Sequence, residues 1–325
     1  MQVVRKLETL TPDAPYALTV GVFDGVHRGH QHLIQQTARA AAEVGGKAGM
    51  VTFWPHPLEV LRPTVEVRYL TLLEEKLDVL AALGTLDMVV VLPFTPELAQ
   101  TGASDFIDLL RQHLHLRVLV EGSDFVFGHN RQGDMTFLTA YGEQQGFAVQ
   151  NIHLQLAGQQ RISSTSIRAL LGDGRVEEAA TLLGRAYSAR GVVVKGDQRG
   201  RLLGFPTANL EIDTKKILPA DGVYAVRAAV GDEGYNGVTN IGWRPTVDGT
   251  RHLTEVHLFD VQPDLYGKTL EVQFIARLRE ERRFAGVEAL KAQIAEDARQ
   301  ARLVLERKTK GEPERGKSGE RSLEV

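Results

Sequence analysis

The stretch from Gly21 to His30 constrains the fold of this chain more than any other part of the sequence. An apolar run at residues 16–22 ends in a turn rich in glycine and aspartate, and two histidines, His27 and His30, follow it. Beyond them, residues recur with the period of a one-sided helix: Leu33, Ile34, Thr37, Ala38 and Ala41. The pattern predicts a strand, a turn and a helix, with both histidines at the helix start. Free backbone N–H groups and the positive end of the helix dipole lie there, so the position suits phosphate.

The histidine pair allows three interpretations. Both side chains could serve only as turn and capping residues. A metal site would recruit His32 as a third ligand, but His32 falls off the spacing and no cluster of carboxylates or cysteines stands nearby. In a phosphate site, the two imidazoles would donate to oxygens whose charge grows during transfer. Gly25 and Gly29 would let a ligand approach the backbone closely. Taken alone, the pair favours capping; the motifs further along the chain favour the phosphate interpretation.

Strand-like and helix-like segments alternate through the N-terminal half. Strands are predicted at residues 18–22, 47–53, 88–92, 118–121 and 147–152, and helices near 30–44, 73–83, 104–114 and 135–145. This alternation is typical of a parallel sheet wrapped by helices. Ligands of such sheets bind beyond the carboxyl ends of the strands, which is where both histidines are expected.

Length and composition limit what the chain can do. Its 325 residues fit about two domains of ~100–200 residues each. A net charge of −3 gives no basic surplus for nucleic acid. Cysteine is absent, which rules out disulfides and thiolate chemistry and suits a reducing cytoplasm. No signal peptide or membrane-spanning apolar stretch is found, so a cytoplasmic protein without membrane or nucleic-acid partners is predicted.

Three further segments of the N-terminal half contain candidate site residues. Residues 52–57 contain two prolines and predict a rigid turn. Residues 122–131 form, taken alone, a glycine-bounded loop with two core aromatics. Residues 161–168 run from hydroxyl side chains into a helix. This last segment is either a well-capped helix or a second phosphate site made of hydroxyls, a helix N-terminus and Arg168.

The pattern changes at Tyr187, after which short β-type runs follow one another with few helices. They lie at residues 191–195, 223–230, 235–241, 254–259 and 269–278. Closely spaced strands of this kind predict a small antiparallel barrel. A last helix is predicted at about 286–307, and the tail after it is charged and nearly devoid of apolar side chains, so disorder is expected there.

The chemistry of the C-terminal half gathers in residues 204–210, Gly-Phe-Pro-Thr-Ala-Asn-Leu. If this segment is extended, Thr207 and Asn209 point to the same side, where neutral oxygens can share Mg²⁺ with nucleotide phosphates. Upstream, residues 195–201 make a basic, glycine-bearing loop able to close over phosphate, although it does not fit the Walker phosphate loop. A polar hairpin loop before an ordinary strand is the alternative interpretation.

Glu255 is the best placed carboxylate of this half for a general base. Strand alternation puts Glu255 and His257 on one face, and Val256 and Leu258 on the other. A general base needs a hydroxyl substrate within hydrogen-bond reach. The alternative is a solvated charge on a strand face, as most glutamates are.

Together these motifs resemble the HxGH nucleotidyltransferase superfamily and, within it, the bifunctional riboflavin kinase/FMN adenylyltransferases, also called FAD synthetases. The matching elements are HxGH at 27–30, ISSTxIR at 162–168, GFPTANL at 204–210, NIGxRPT at 240–246 and ExHLFD at 255–260. The likeness covers about residues 15–300. Three residues depart from the pattern: Ala186 stands where proline is frequent, and Val126 and Ser166 replace commonly basic residues, which bears on the strength of nucleotide or flavin binding.

The resemblance implies an α/β plus all-β fold. A Rossmann-like HxGH nucleotidyltransferase domain with a parallel sheet would occupy residues 1–184. A small antiparallel Greek-key β-barrel with a terminal helix would occupy residues 185–307, before a disordered tail at 308–325. ATP would phosphorylate riboflavin to FMN in the barrel domain, and the first domain would adenylylate FMN with ATP to give FAD and pyrophosphate. Mg²⁺ is the implied cofactor and small molecules are the implied partners; weak self-association stays open.

The resemblance also assigns residues to four roles. The catalytic residues would be Glu255, His27, His30 and Arg168, with Glu255 deprotonating the ribityl hydroxyl of the flavin. Nucleotide binding would involve Phe23, Asp24, Gly25, Gly29, Ser163, Ser164, Thr165, Lys195, Gly196, Gly200 and Arg201. Flavin binding would involve Pro55, His56, Asp124, Phe125, Phe127 and Arg131, and Thr207 and Asn209 would bind the metal.

Two rival functions stay open at this point. One is another HxGH adenylyltransferase that acts on a different phosphorylated acceptor and is fused to an unrelated barrel; the GFPTANL and ExHLFD elements argue against it. The other is a flavin-binding module that has lost catalysis, against which the complete set of candidate residues argues.

Overall fold

The computed structural model describes residues 1–153, 156–157, 160–196, 200, 204–246 and 249–310. The chain divides into two compact units whose segments interleave along the sequence. The first unit comprises Met1–Ala169, Thr181–Gly184 and Thr214–Ile217. The second comprises Leu170–Ala180, Arg185–Asp213 and the chain from Leu218 onward.

The first unit is built on a parallel sheet. Its strands are β1 (Gln2–Val4), β2 (Tyr16–Val20), β3 (Lys47–Trp54), β4 (Met88–Pro93), β5 (Leu116–Gly122) and β6 (Ala148–Ile152), in the order β1-β4-β3-β2-β5-β6. All five residues of β2 are buried, as expected for a parallel strand covered on both faces. Two short strands, β7 (Leu156–Ala157) and β8 (Gln160–Arg161), pair antiparallel apart from this sheet.

Helices cover both faces of the sheet. In chain order the helices up to residue 183 are α1 (Arg28–Glu43), α2 (Pro57–Leu61), α3 (Leu73–Leu83), α4 (Pro96–Ala99), α5 (Ala103–Leu114), α6 (Met135–Gln145), α7 (Ser164–Gly172) and α8 (Val176–Leu183). Short 3₁₀ turns lie at Leu7–Thr9 and His129–Arg131. Successive strand residues pack on opposite faces: Leu18 clusters with Phe106 of α5, whereas Ala17 clusters with Leu33 of α1 and Leu80 of α3. The predicted α/β alternation is confirmed.

The strand order reverses at β2, since β3 and β4 follow on one side and β5 and β6 on the other. Ligands of open α/β sheets bind at such a reversal, beyond the carboxyl ends of the strands. The predicted strand 18–22 is shifted: β2 ends at Val20, so Gly21 and Val22 belong to the turn that follows. Both the end of β2 and the end of β5 at Gly122 therefore open toward the same crevice.

The second unit contains a closed antiparallel barrel, as predicted. Its strands are β9 (Tyr187–Val194), β10 (Ala208–Ile212), β11 (Gly222–Val230), β12 (Glu233–Thr246), β13 (Gly249–Leu258) and β14 (Thr269–Arg279). Around the barrel they follow the order β10-β13-β12-β11-β14-β9, and β14 pairs with β9 to close it. Strand β10 contains the end of the predicted 204–210 segment, which confirms that this part is extended.

The terminal helix α9 (Val287–Lys310) packs on the barrel. Ala301 and Leu305 are buried in one cluster with Val223 and Ala225 of β11. The helix continues to Lys310, three residues into the stretch whose composition predicts disorder. Residues 311–325, the remainder of that predicted tail, lie outside the described residues.

Candidate active sites

A tight turn holds the predicted histidines at the start of α1. The backbone torsion φ is positive at Phe23 (51°), Gly25 (81°) and Val26 (42°), a region that side chains disfavour. A Cβ atom on Gly25 would lie 2.8 Å from Cδ1 of Leu70, so glycine is required there sterically as well. The chain thereby turns sharply from the end of β2 into α1.

His27 caps α1 and stacks on His30. Nδ1 of His27 accepts a hydrogen bond from the backbone N–H of His30 at 3.3 Å. The two imidazole centroids lie 3.6 Å apart, and the edge of the Phe23 ring contacts His30 at 5.1 Å between centroids. Because Nδ1 of His27 is an acceptor, a neutral His27 carries its ring proton on Nε2. The capping interpretation is therefore correct for Nδ1, and the N–H donor of the neutral ring is at Nε2.

His30 contributes an unsatisfied polar atom to the same place. Its Nδ1 is buried and lacks a hydrogen-bond partner within the part of the chain that the structure describes. Burial, and then the charges of His27 and Lys76, lower the pKa of His30 well below its usual value. His30 is thus a neutral imidazole near pH 7 and can donate one hydrogen bond.

Asp24 connects this turn to the second predicted phosphate motif. Its side chain is 3% exposed, and its carboxylate accepts hydrogen bonds from the backbone N–H groups of Leu70 at 3.1 Å and Thr71 at 3.0 Å. The same carboxylate forms an ion pair with Arg168, and Ser164 Oγ donates to the Asp24 carbonyl at 2.9 Å. The fold therefore brings Asp24, Ser164 and Arg168 together. Much of the Arg168 charge is balanced by Asp24 before any ligand binds.

The N-terminus of α7 is capped by two serines. Ser166 N–H donates to Ser163 Oγ at 3.1 Å, and Ser163 N–H donates to Ser166 Oγ at 3.2 Å. This reciprocal arrangement fixes the first turn of the helix. The Ser166 side chain, which departs from the resembled pattern, thus serves the cap. Thr165 remains exposed at the same helix end.

The proline turn after β3 presents His56 near this cluster. Trp54 and Pro55 are joined by a cis peptide bond. Nδ1 of His56 accepts from Leu58 N–H at 3.1 Å at the start of α2, and Tyr69 Oη accepts from His56 N–H at 2.8 Å. Burial lowers the pKa of His56 more than the field of nearby Asp24 raises it, so the ring favours its neutral form.

The loop after β5 is held by its own aromatic side chains. Phe125 and Phe127 stack with centroids 5.2 Å apart and pack against the sheet's hydrophobic core. The backbones of Phe127 and Gly133 pair through two 3.0 Å hydrogen bonds, and a Cβ on Gly133 would lie 2.4 Å from the Phe127 ring. These two aromatics therefore help to hold the loop in place, while Asp124 and Arg131 are exposed on it.

Sequence reasoning missed two buried charged residues beside the turn. Lys76 is 1% exposed, and its Nζ donates to Val22 O at 2.8 Å and to Thr52 Oγ1 at 3.3 Å. Burial lowers its pKa to about 8. Glu121, also 1% exposed, accepts from Val20 N–H at 2.6 Å, and burial raises its pKa well above the usual value.

Both residues left a signal in the sequence. Lys76 lies three residues after Leu73 and four before Leu80, on the buried face of α3. Glu121 directly follows the apolar run at residues 118–120 in β5. A charged residue in such a position is seldom buried without a role, so each deserved a place among the candidates.

The barrel brings the metal and base candidates to adjacent strands. Asn209 of β10 lies directly opposite Glu255 of β13, whose other neighbour is Asn240 of β12. Glu255 is only 8% exposed, so it is not the solvated strand-face charge of the alternative interpretation. Nδ1 of His257 and the Pro206 carbonyl lie 2.8 Å apart, which ties the Glu255 face of β13 to the segment that holds Thr207.

Two glycines of the 195–201 loop lie against these candidates. A Cβ on Gly196 would be 2.3 Å from Nδ2 of Asn209, and one on Gly200 would be 2.4 Å from the Phe205 carbonyl oxygen and 3.2 Å from Thr207 Oγ1. Gly196 therefore lies close to Asn209, and Gly200 lies close to Thr207, at distances that leave no room for a side chain. Lys195 is exposed at its start, and Arg201 lies outside the described residues.

A cavity of about 290 Å³ opens beside Thr207. Its lining is mostly apolar and includes Val193, Pro206, Val256, Leu258 and Tyr266, but not Asn209 or Glu255. A larger open cleft, about 580 Å³, is lined by Asp13, Arg111 and Arg117 among others and contains none of the candidate residues. The described residues hold no group of three or more histidines, cysteines, aspartates and glutamates able to bind a metal ion.

Comparison with known proteins gives concordant results. The sequence model of the FAD synthetase family matches residues 11–166, and that of the riboflavin kinase family matches residues 183–305. A bifunctional riboflavin kinase/FMN adenylyltransferase of Escherichia coli (strain K12) is 41% identical over 306 residues, which cover 93% of this chain and 97% of that protein. The protein of the same description from Bacillus subtilis (strain 168) is 39% identical over 293 residues, which cover 89% of this chain and 92% of that protein.

A solved structure resembles most of the chain. It is described as a macrolide-efflux protein from Streptococcus pneumoniae, with a TM-score of 0.85 and 29% sequence identity, and the match covers 92% of this chain and 98% of that one. Within the described residues, no helix is both long enough and apolar enough to cross a membrane.

Proposed function

The chain belongs to the bifunctional riboflavin kinase/FMN adenylyltransferase family, and from this membership we propose how its residues divide the two reactions. The protein phosphorylates riboflavin with ATP to give FMN, and it adenylylates FMN with a second ATP to give FAD and pyrophosphate. We assign adenylylation to the domain at residues 1–184 and phosphorylation to the domain at 185–307. We also assign the enzyme to the cytoplasm, which cell fractionation would test.

The contact of Asp24 with Ser164 and Arg168, beside the His27 and His30 rings, carries the assignment of adenylyl transfer. A phosphate oxygen of FMN attacks the α-phosphorus of ATP, the bond to the β-phosphate breaks, and pyrophosphate leaves. No protein nucleophile is needed, because the FMN phosphate is already a competent one. The residues serve by positioning and by stabilising charge.

The two imidazoles have distinct tasks in this proposal. His27 donates from Nε2, because its Nδ1 is engaged by the helix start. His30, kept neutral by burial, donates to an α-phosphate oxygen as negative charge develops there. Thr165 and the free N–H groups of α7 bind phosphate oxygens, and Gly25 and Gly29 admit the nucleotide. His56, Pro55 and the loop with Asp124, Phe125, Phe127 and Arg131 border the flavin.

Replacing His30 tests this site. The variant His30→Ala should lose FAD formation from supplied FMN and keep FMN formation from riboflavin. His32→Ala, two residues further along the same helix, is the matched control and should keep both activities. Intact FAD synthesis in His30→Ala would overturn the assignment.

In the barrel, Glu255 would take the proton of the riboflavin 5′ hydroxyl as its oxygen attacks the γ-phosphorus of ATP and ADP leaves. The burial of Glu255 opposite Asn209 supports this role. Thr207 and Asn209 offer the neutral oxygens that suit Mg²⁺, which, bound with ATP, would neutralise phosphate charge. Lys195, Gly196, Gly200 and Arg201 would close over the nucleotide.

Glu255→Gln tests the kinase assignment. The amide cannot accept the proton, so FMN formation should fall by at least about a hundredfold. FAD formation from supplied FMN should stay within about twofold of the unaltered enzyme, because the other site is intact. Glu211→Gln, an exposed glutamate of β10, should change neither rate. Riboflavin phosphorylation that persists in Glu255→Gln would exclude Glu255 as the base.

A further inference from the structure

We infer that Lys216 is a positioning residue for adenylyl transfer, although it lies in the stretch that the riboflavin kinase family model covers. The inference rests on the proposed location of that reaction near Asp24. Residues Thr214–Ile217 belong to the first compact unit. They pair with Tyr69 through two backbone hydrogen bonds. The Tyr69 N–H donates to the Lys215 carbonyl at 2.7 Å, and the Ile217 N–H donates to the Tyr69 carbonyl at 3.0 Å.

The Lys216 side chain is buried in the first unit. It is 1% exposed, and its Nζ donates to Glu75 Oε2 at 2.6 Å and to the Leu70 carbonyl at 2.7 Å. The same Glu75 oxygen accepts from the Leu72 N–H at 2.9 Å, which caps α3. Lys216 is the cation paired with Glu75 among the described residues. Without it, the Glu75 carboxylate would be buried with no such partner there, and the Leu70 carbonyl would lose this donor.

Leu70 and Thr71 connect Lys216 to Asp24 at the proposed adenylylation site. Their N–H groups donate to the Asp24 carboxylate, and Thr71 Oγ1 accepts from the Gly25 N–H at 3.0 Å. The peptide between Tyr69 and Thr71 is therefore held by Asp24 on one side and by Lys216 on the other. Asp24 in turn pairs with Arg168. A displaced Leu70 would shift the carboxylate that orients Arg168 and the turn that precedes His27.

A comparison of two adjacent lysines in the full chain tests the inference. In Lys216→Met, kcat/KM for FMN adenylylation should fall by at least about tenfold, since sub-ångström displacement of positioning groups is enough for such a loss. Lys215→Met removes a half-exposed lysine paired with Glu59. In this variant kcat/KM for FMN adenylylation should stay within about twofold of the unaltered enzyme. Riboflavin phosphorylation should stay within about twofold in both.

A second variant separates positioning from mere stability. Glu75→Gln/Lys216→Met removes the unpaired buried charge, so its thermal midpoint should return toward that of the unaltered enzyme. Adenylylation should remain low, with the loss in kcat rather than in the KM for ATP. Recovery of adenylylation together with stability, or a Lys216→Met enzyme within about twofold of normal, would overturn the inference. Failure of the proposed site itself would appear instead as FAD formation by His30→Ala in the same assay.

Discussion

Lys76 is a buried ammonium beside the turn that precedes α1, and replacing it by methionine should stabilise the protein while slowing adenylyl transfer. Burial lowers its pKa from 10.5 to about 8, and the attraction of Asp24 offsets this only in part. At pH 7 the lysine is charged in both the folded and the unfolded chain. Folding therefore moves a charge into surroundings that disfavour it.

The pKa sets the size of the effect. The difference between 10.5 and about 8 corresponds to about 3 kcal/mol at pH 7, which methionine of similar length removes. The variant loses two hydrogen bonds worth about 1 kcal/mol each. Thr52 Oγ1 still donates to the Val22 carbonyl at 3.1 Å, so that acceptor keeps a partner. We expect Lys76→Met to raise the free energy of unfolding by about 1 kcal/mol.

The difference in stability between the unaltered protein and Lys76→Met depends on pH. The cost of the charge is fully present below pH 8, where folded and unfolded chains both hold the proton. As the pH rises from about 8 toward 10.5, the folded chain loses its proton and the unfolded chain keeps it. The unaltered protein therefore gains about 1.4 kcal/mol of stability per pH unit in this window relative to the variant. The advantage of Lys76→Met should vanish and then reverse.

Urea unfolding of both proteins at pH 7, 8, 9 and 10 measures this difference. Lys6→Met, which removes an exposed lysine of the same unit, is the control and should follow the unaltered protein at every pH. FAD formation by Lys76→Met should fall by about tenfold or more, because a positive charge next to the proposed phosphate site is lost. A variant less stable than the unaltered protein at pH 7, or a difference independent of pH, would refute the reasoning.

Three further predictions concern single residues. Glu121→Gln should match the unaltered protein in stability near pH 4, where the acid is protonated in both the folded and the unfolded chain. It should exceed it progressively as the pH rises from 4.5 to the raised pKa, because the unfolded acid then releases its proton while the folded acid keeps it. Urea unfolding from pH 4 to 8 measures this, and parallel curves would contradict it. Gly200→Ala should lower riboflavin phosphorylation by about tenfold or more and spare FAD formation, because its Cβ would meet the Phe205 carbonyl oxygen at 2.4 Å; unchanged FMN formation would contradict it. Arg168→Lys should lower FAD formation by about tenfold in the same flavin assay, because an ammonium cannot contact both its buried carboxylate partner and the Arg68 carbonyl, and full activity would contradict it.

The parts of the fold that depend on local pattern were predictable from the sequence. The strand, turn and helix around His27 follow from apolar periodicity and two glycines, and the barrel follows from closely spaced strands and turns. The short strand β1 and the one-turn helices α2 and α4 were missed, since three to five residues carry too little periodicity to detect.

Contacts between distant residues were the harder part of the site. The sequence placed Asp24 and Arg168 in two separate motifs, but these residues are 144 positions apart, so their ion pair depends on how the chain between them folds. Lys76 and Glu121 could have been found from their positions on buried faces. Lys216 could not, because its location between barrel strands gives no sign that it contacts Glu75.

The central claim is that two separate sets of residues carry the two reactions, and mixing two variants tests it most directly. Purified His30→Ala and Glu255→Gln would each be incubated with riboflavin, ATP and Mg²⁺, then combined, with the flavins separated over time. We expect FMN alone from His30→Ala, no product from Glu255→Gln, and FMN followed by FAD from the mixture. FAD from His30→Ala alone, or none from Glu255→Gln supplied with FMN, would contradict the account.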